Sequence, residues 1–258
     1  MLLSRFFEWK PQGDFHYFNL AHILVIVIGV LSIVALCIIF RKTEHKNVKR
    51  VLSVVAVISL ILDPIYWIWE YVVSGGVDIK GSLPLYYCSL FYMVLPFAIW
   101  CKNEKVKQTA LAYLATFNLI AGLMGLIINT NLNVYPVWSF VGVRSLVYHL
   151  LMIFTSVFIW TTKYYTFNIH HTYSFLIPII ALFIPALIVD LNYGADYFYL
   201  NGGVGTPISI VSSKMPQAVY IFVLYFAILV LVNLIFYLPL IIKHFKNRKV
   251  YESDEGVE

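Results

Sequence analysis

The sequence is short of charge. Only 12% of its 258 residues are Asp, Glu, Lys or Arg, and 61% are hydrophobic, against about 25% and 45–50% in an ordinary soluble domain. A soluble globule is excluded on that balance, and a mean hydropathy of +0.82 excludes a disordered chain. Cysteine is scarce too. Cys37, Cys88 and Cys101 form an odd set without paired spacing, so neither a disulfide framework nor a metal site is expected. There is no GxxxxGK[ST] phosphate loop, no HExxH helix and no GxSxG elbow, and no cofactor is implied. No repeat of 20–50 residues and no low-complexity stretch is visible. The first 18 residues carry aromatics and both signs of charge rather than a short apolar core, so no cleavable signal peptide is expected.

What the chain does have is long apolar runs, at 19–40, 51–73, 83–101, 108–128, 142–162, 174–190 and 217–242. A bilayer-crossing helix needs about 20 such residues, and only helices or closed barrels satisfy their backbone in lipid. The expectation is an all-α polytopic membrane protein, a bundle of about seven transmembrane helices. Residues 1–18 form an interfacial segment, 19–242 the membrane domain, and 243–258 a basic-then-acidic tail. The net charge of +5 sits beside the apolar runs and reads as a membrane-orientation signal, not as nucleic-acid binding. With the amino terminus outside, the 41–50 segment, Lys102 to Lys107, Lys163 and the tail place thirteen of the eighteen basic residues in the cytoplasm. The positive-inside bias favours that orientation, with the carboxyl terminus cytoplasmic.

Ionisable groups inside hydrocarbon are costly and usually face an interior or a cavity. At 1.5 Å rise per residue, His22, Asp63, Glu70, Cys88, Arg144 and His149 fall in the outer half of the bilayer, and Asn118 falls near mid-depth. Asp63 and Glu70 are seven apart and share a helix face, pairing with Arg144 or a histidine or serving a ligand. Cys37 and Cys101 read as inert small side chains. Gly122 and Gly125 read as positions of close helix packing. Pro84 is expected to open the third helix, leaving Cys88 just beyond its first turn. His170 and His171 are expected in a solvated loop, and the glycine-rich loop from Asp190 to Pro216 forms either a lid or an aromatic belt. A Cys and a His at one depth permit nucleophilic acyl transfer, the imidazole taking the thiol proton. An acid such as Glu70 or Asp63 would orient the imidazole, and backbone N–H groups, Asn118 or Arg144 would stabilise an oxyanion. The same polar layer also suits a non-enzymatic lipid- or solute-binding protein or transporter, or a purely structural partner.

The stretch Leu83-Pro84-Leu85-Tyr86-Tyr87-Cys88-Ser89-Leu90 resembles the LPLHLCSL-type signature of the YwaF-like bacterial integral membrane proteins. Phe18 to His22, Trp69-Glu70, Ala121-Gly122 with Gly125, and the Asn129-Thr130-Asn131 turn are similar to flanking features of that family. So are Ser145 to His149, and Asp196 to Leu200 beside an NYMFL-like element. The resemblance spans residues 15–242 and extends to a eukaryotic transmembrane cysteine acyltransferase of phospholipid remodelling. More distantly it extends to androgen-induced membrane hydrolases that use a Thr–His pair. It implies Cys88 as the acyl-accepting nucleophile, His149 as general base, and His22, Glu70 and Tyr197 as supporting residues. It also implies membrane lipids as substrates and a bacterial plasma membrane as the setting. The sequence departs from the pattern at Tyr86, where the family has a histidine, and at Asp196, where it has an asparagine.

Overall fold

The computed structural model describes residues 5–168, 172–203, 206 and 208–242. The tail at 243–258 and the His170–His171 pair lie outside the described residues. The described residues form helices and turns and no strand: α1 (Leu20–Ile39), α2 (His45–Ser74), α3 (Leu90–Trp100), α4 (Glu104–Ala115) and α5 (Phe117–Ile127). Then follow α6 (Phe140–Thr161), α7 (Leu176–Tyr193), the one-turn α8 (Ser209–Ser212) and α9 (Gln217–Val232). A π-helical turn, Asn233–Tyr237, carries the last helix onward. Among the described residues six helical stretches are long and apolar enough to cross a membrane. They are α1, α2, α4 with α5 (Glu104–Asn133), α6, α7 and Gln217–Ile242, and the apolar α3 is shorter.

Local chemistry sets the ends. The Asn19 side chain accepts the His22 N–H at 2.9 Å and opens α1. Asn103 does the same for Lys105 and Val106 in α4, and Ser139 for Gly142 in α6. Each of these caps satisfies an N–H that the helix cannot. α2 and α7 stop at Gly75 (φ +80°) and Gly194 (φ +63°), a left-handed geometry that suits a residue without Cβ.

α6 is the centre of the bundle and packs against α1, α2, α4 and α5, while α3 lies among α2, α4 and α7. In their most apolar stretches 61% of α6 is buried, against 17% of α1 and of α7 and 11% of the last helix. Yet α1 is apolar all round, with Leu20, Ile28, Leu31 and Ile39 exposed. A helix that is hydrophobic on its exposed faces needs lipid around it. The protein is an integral membrane protein. The chain alternates direction, so α1, α3 and α6 begin, and α2, α5 and α7 finish, at one end of the bundle, the upper end. The aromatic segment before α1 packs there. Trp69 Nε1 donates to the Phe7 carbonyl at 3.0 Å, and the Trp9 and Trp69 rings lie 5.5 Å apart.

Candidate functional site

Cys88 lies at the upper end in a turn, not in a helix. α3 begins at Leu90, two residues later than Cys88, so the expectation that Pro84 opens this helix is corrected. The reason lies in where the backbone groups go. A helix through Tyr87 would need the Phe91 N–H on the Tyr87 carbonyl. Instead Phe91 donates to the Cys88 carbonyl at 3.0 Å and Ser89 to that of Tyr86 at 3.0 Å. The Tyr87 carbonyl accepts from Tyr113 Oη at 3.2 Å. The Tyr86 ring packs on Tyr197 with centroids 4.8 Å apart, and Tyr87 on Phe198 at 4.3 Å. Tertiary partners thus hold this segment off the helical path, and Cys88 is left half-buried.

Asp63 and Arg144 are the charges whose fields reach the Cys88 thiol. Arg144 Nη2 pairs with Asp63 Oδ1, its Nε donates to the Leu62 carbonyl at 3.2 Å, and its guanidinium lies 4.4 Å over the Tyr66 ring. The pair joins α6 to α2. Of the partners expected for Asp63, Arg144 or a histidine, the structure has Arg144.

His149 is buried in α6. Its Nδ1 meets the Ser145 carbonyl at 2.7 Å. A carbonyl only accepts, so Nδ1 carries a proton and the neutral ring keeps its lone pair on Nε2. The ring fills the notch left by Gly125, where a Cβ would run into it. Gly122 fits against Met152 and Ile153, so both glycines serve close packing. Among the described residues no hydrogen bond joins His149 to Cys88. The link runs through the preceding residue, whose hydroxyl, Tyr148 Oη, donates to the Cys88 carbonyl at 3.1 Å.

The other sequence candidates have separate surroundings. His22 Nδ1 accepts the Phe18 N–H at 2.9 Å, so its Nε2–H donates to the Leu126 carbonyl at 2.8 Å. Both ring nitrogens are committed, Nδ1 to the start of α1 and Nε2 to tying α1 to α5. Glu70 Oε1 accepts from Ser82 Oγ at 2.7 Å, while its Oε2 is buried without a partner. Asn118 donates to the Met152 carbonyl and to Ser156 Oγ, both at 3.0 Å, one and two turns along α6 from His149. It belongs to the break between α4 and α5. Tyr197 Oη accepts the Leu83 N–H at 2.9 Å and donates to the Ile79 carbonyl at 2.7 Å. Burial pushes this hydroxyl up to about 12, so it remains a donor at ordinary pH.

Sequence reasoning passed over Tyr113, Tyr148, Ser82 and Asp190. Tyr148 stands beside a singled-out histidine, but nothing in its spacing announces a bond to a residue 60 positions away. Asp190 holds the Tyr197 N–H at 2.9 Å, and its place at the end of an apolar helix was a usable signal.

A model of the TMEM164 family matches residues 17–237, which takes in every residue of this site. The chain belongs to the TMEM164 family. No curated protein matches it, and no solved structure does. The family match runs from just before α1 into the last helical stretch, with the cysteine turn and the histidine segment both inside it.

Proposed function

We propose that this chain is a membrane-embedded lipid acyltransferase or lipid-ester hydrolase, with Cys88 as nucleophile and His149 as base. The observation that carries the reading is the bond from Tyr148 to the Cys88 carbonyl. It brings the cysteine turn to the residue beside a histidine whose Nε2 is a proton acceptor. In the reaction the Cys88 sulfur attacks the ester carbonyl carbon as its proton passes to His149 Nε2. The alcohol part of the lipid leaves and takes that proton. A second lipid hydroxyl, or water, then attacks the thioester and regenerates the thiol. Catalysis needs the imidazole and thiol within reach, directly or through one water. Arg144, held by Asp63, supplies a cation near the thiolate, and first-turn N–H groups of α3 are donors for the oxyanion. Glu70, His22 and Tyr197 support the site by holding the surrounding segments, and Asn118 supports α6 from below. The donors and acceptors are membrane lipids. By the positive-inside bias the upper end faces outward in a bacterial plasma membrane, with residues 1–18 at the outer interface.

The test is acyl-enzyme trapping. The protein in lipid nanodiscs is given an alkyne-tagged phospholipid, and a hydroxylamine-sensitive label is expected that disappears in Cys88→Ala and His149→Ala. A label that survives in Cys88→Ala refutes the nucleophile. A second reading, binding or transport of a solute or lipid, is favoured by the unpartnered buried Oε2 of Glu70. It requires Cys88→Ser to keep function and Asp63→Asn or Glu70→Gln to lose it.

A further inference from the structure

The Leu83–Ser89 segment is gripped by tyrosine hydroxyls from three separate elements. Tyr113 on α4 donates to the Tyr87 carbonyl at 3.2 Å, and Tyr148 on α6 donates to the Cys88 carbonyl at 3.1 Å. Tyr197, in the turn after α7, takes the Leu83 N–H at 2.9 Å. Backbone outside a helix in apolar surroundings needs every polar group satisfied by the protein itself. The ordinary solution would be one more turn of α3. The chain instead spends three phenols, contributed from positions 26, 60 and 114 residues away, to keep the segment out of a helix.

The element that supplies Tyr197 is itself held under strain. Phe198 and Tyr199 have φ of +54° and +57°, a left-handed conformation costly for residues with a Cβ, which persists only where the surroundings over-determine it. They do so in this turn. Asp190 Oδ1 holds the Tyr197 N–H, Tyr199 accepts from Tyr220 Oη at 2.7 Å, and Tyr197, Phe198 and Leu200 are fully buried. The same turn presses Phe198 on Tyr87 and Tyr197 on Tyr86.

We infer that Tyr113, Tyr148 and Tyr197 are positioning residues that fix the Cys88 backbone against α6. The hydroxyl of Tyr148 sets the cysteine relative to His149, and that of Tyr197 anchors the amino-terminal side of the same segment. The role in transfer rests on the acyl-transfer reading above; the hold on the backbone does not. None of the three touches the thiol or a substrate in this account. They act through the turn, so losing a hydroxyl leaves the thiol chemically intact and displaces it.

The experiment uses the full chain in nanodiscs with Tyr148→Phe, Tyr197→Phe and Tyr113→Phe, which keep each ring and remove only the hydroxyl. Three quantities are read: amide hydrogen exchange of the peptide covering Leu83–Ser89, alkylation of Cys88 by iodoacetamide, and thioester formation from alkyne-tagged phospholipid across a range of lipid fractions. In Tyr148→Phe and Tyr197→Phe the segment should exchange about tenfold faster, the size of one lost hydrogen bond, with α6 unchanged. The maximal rate of thioester formation should fall by at least about that factor. The half-saturating lipid fraction and the alkylation rate should stay near those of the parent. Tyr113→Phe, which loses the longest of the three bonds at 3.2 Å, should show the smaller effect. Exchange and transfer both unchanged in Tyr148→Phe and Tyr197→Phe would overturn the inference, as would alkylation falling in step with transfer. A parent protein that forms no thioester refutes the acyl-transfer reading and the role in transfer with it. The exchange arm then still decides whether the hydroxyls hold the turn.

Discussion

Two of the places where the described chain leaves the helical path, the α4–α5 break and the Cys88 turn, are resolved in different ways. Between α4 and α5 the chain breaks at Thr116 (φ −127°, ψ −90°). The carbonyls freed there are taken by one neighbour: Ser156 Oγ donates to Leu114 at 2.7 Å and Trp160 Nε1 to Ala115 at 2.9 Å, both from α6. Thr116 Oγ1 turns back onto the Ala112 carbonyl at 2.6 Å. Leu111 to Thr116 are all buried. The Cys88 turn draws its partners from three elements, one of them a strained loop turn, and leaves a thiol half-buried. The first break is a packing feature closed within the densest part of the fold. The second is held from several sides at the upper end, with a reactive atom at its centre. Irregular backbone at membrane depth persists only where protein replaces the missing donors, and the arrangement of those donors separates a structural kink from a candidate site.

Substitutions can break this contrast. The largest effect is expected at the ion pair beside the cysteine turn. Arg144→Ala leaves Asp63 buried and unpaired and should cost about 3 kcal/mol of stability. Thermal unfolding in detergent measures this, and Asp63→Asn combined with Arg144→Gln should recover most of it. Next comes Gly125→Ala, whose methyl meets the His149 ring. Overpacking should cost about 2 kcal/mol and abolish thioester formation, while Cys88 still reacts with iodoacetamide. Retained transfer in that variant would remove His149 from the mechanism. Ser156→Ala strips the α4–α5 break of a donor to Leu114 and an acceptor for Asn118. About 1–2 kcal/mol should be lost, with transfer per folded molecule unchanged; a specific loss of transfer would erase the distinction between the two breaks. The smallest effect belongs to Trp160→Phe, about 1 kcal/mol for the bond to Ala115, read by the same melting experiment.

Much of this was legible in the sequence. The apolar runs correspond to six membrane-length helical stretches and the shorter α3. The glycines at 122 and 125 serve the packing expected of them, and Arg144 meets Asp63. The third and fourth runs were read as unbroken, and both are interrupted, α3 starting at Leu90 and the fourth run breaking at Thr116. Hydropathy reports only whether a stretch is apolar, and neither Leu83 to Ser89 nor Ala115 to Asn118 carries a charge that would mark a break. His22 looked available by depth but is committed at both nitrogens, because its partner carbonyl at Leu126 belongs to another helix.

By itself the sequence determined the class of the protein. A chain this apolar and this poor in charge is stable only in lipid, and there apolar runs of about 20 residues cross as helices. It also determined which polar residues gather toward one end, because depth along a helix follows from counting residues. Only the tertiary structure decided which of those residues meet. The bonds that shape the Cys88 turn join residues 26, 60 and 114 positions apart. Such bonds depend on the rotation and offset of packed helices, which the local pattern along any one of them does not encode.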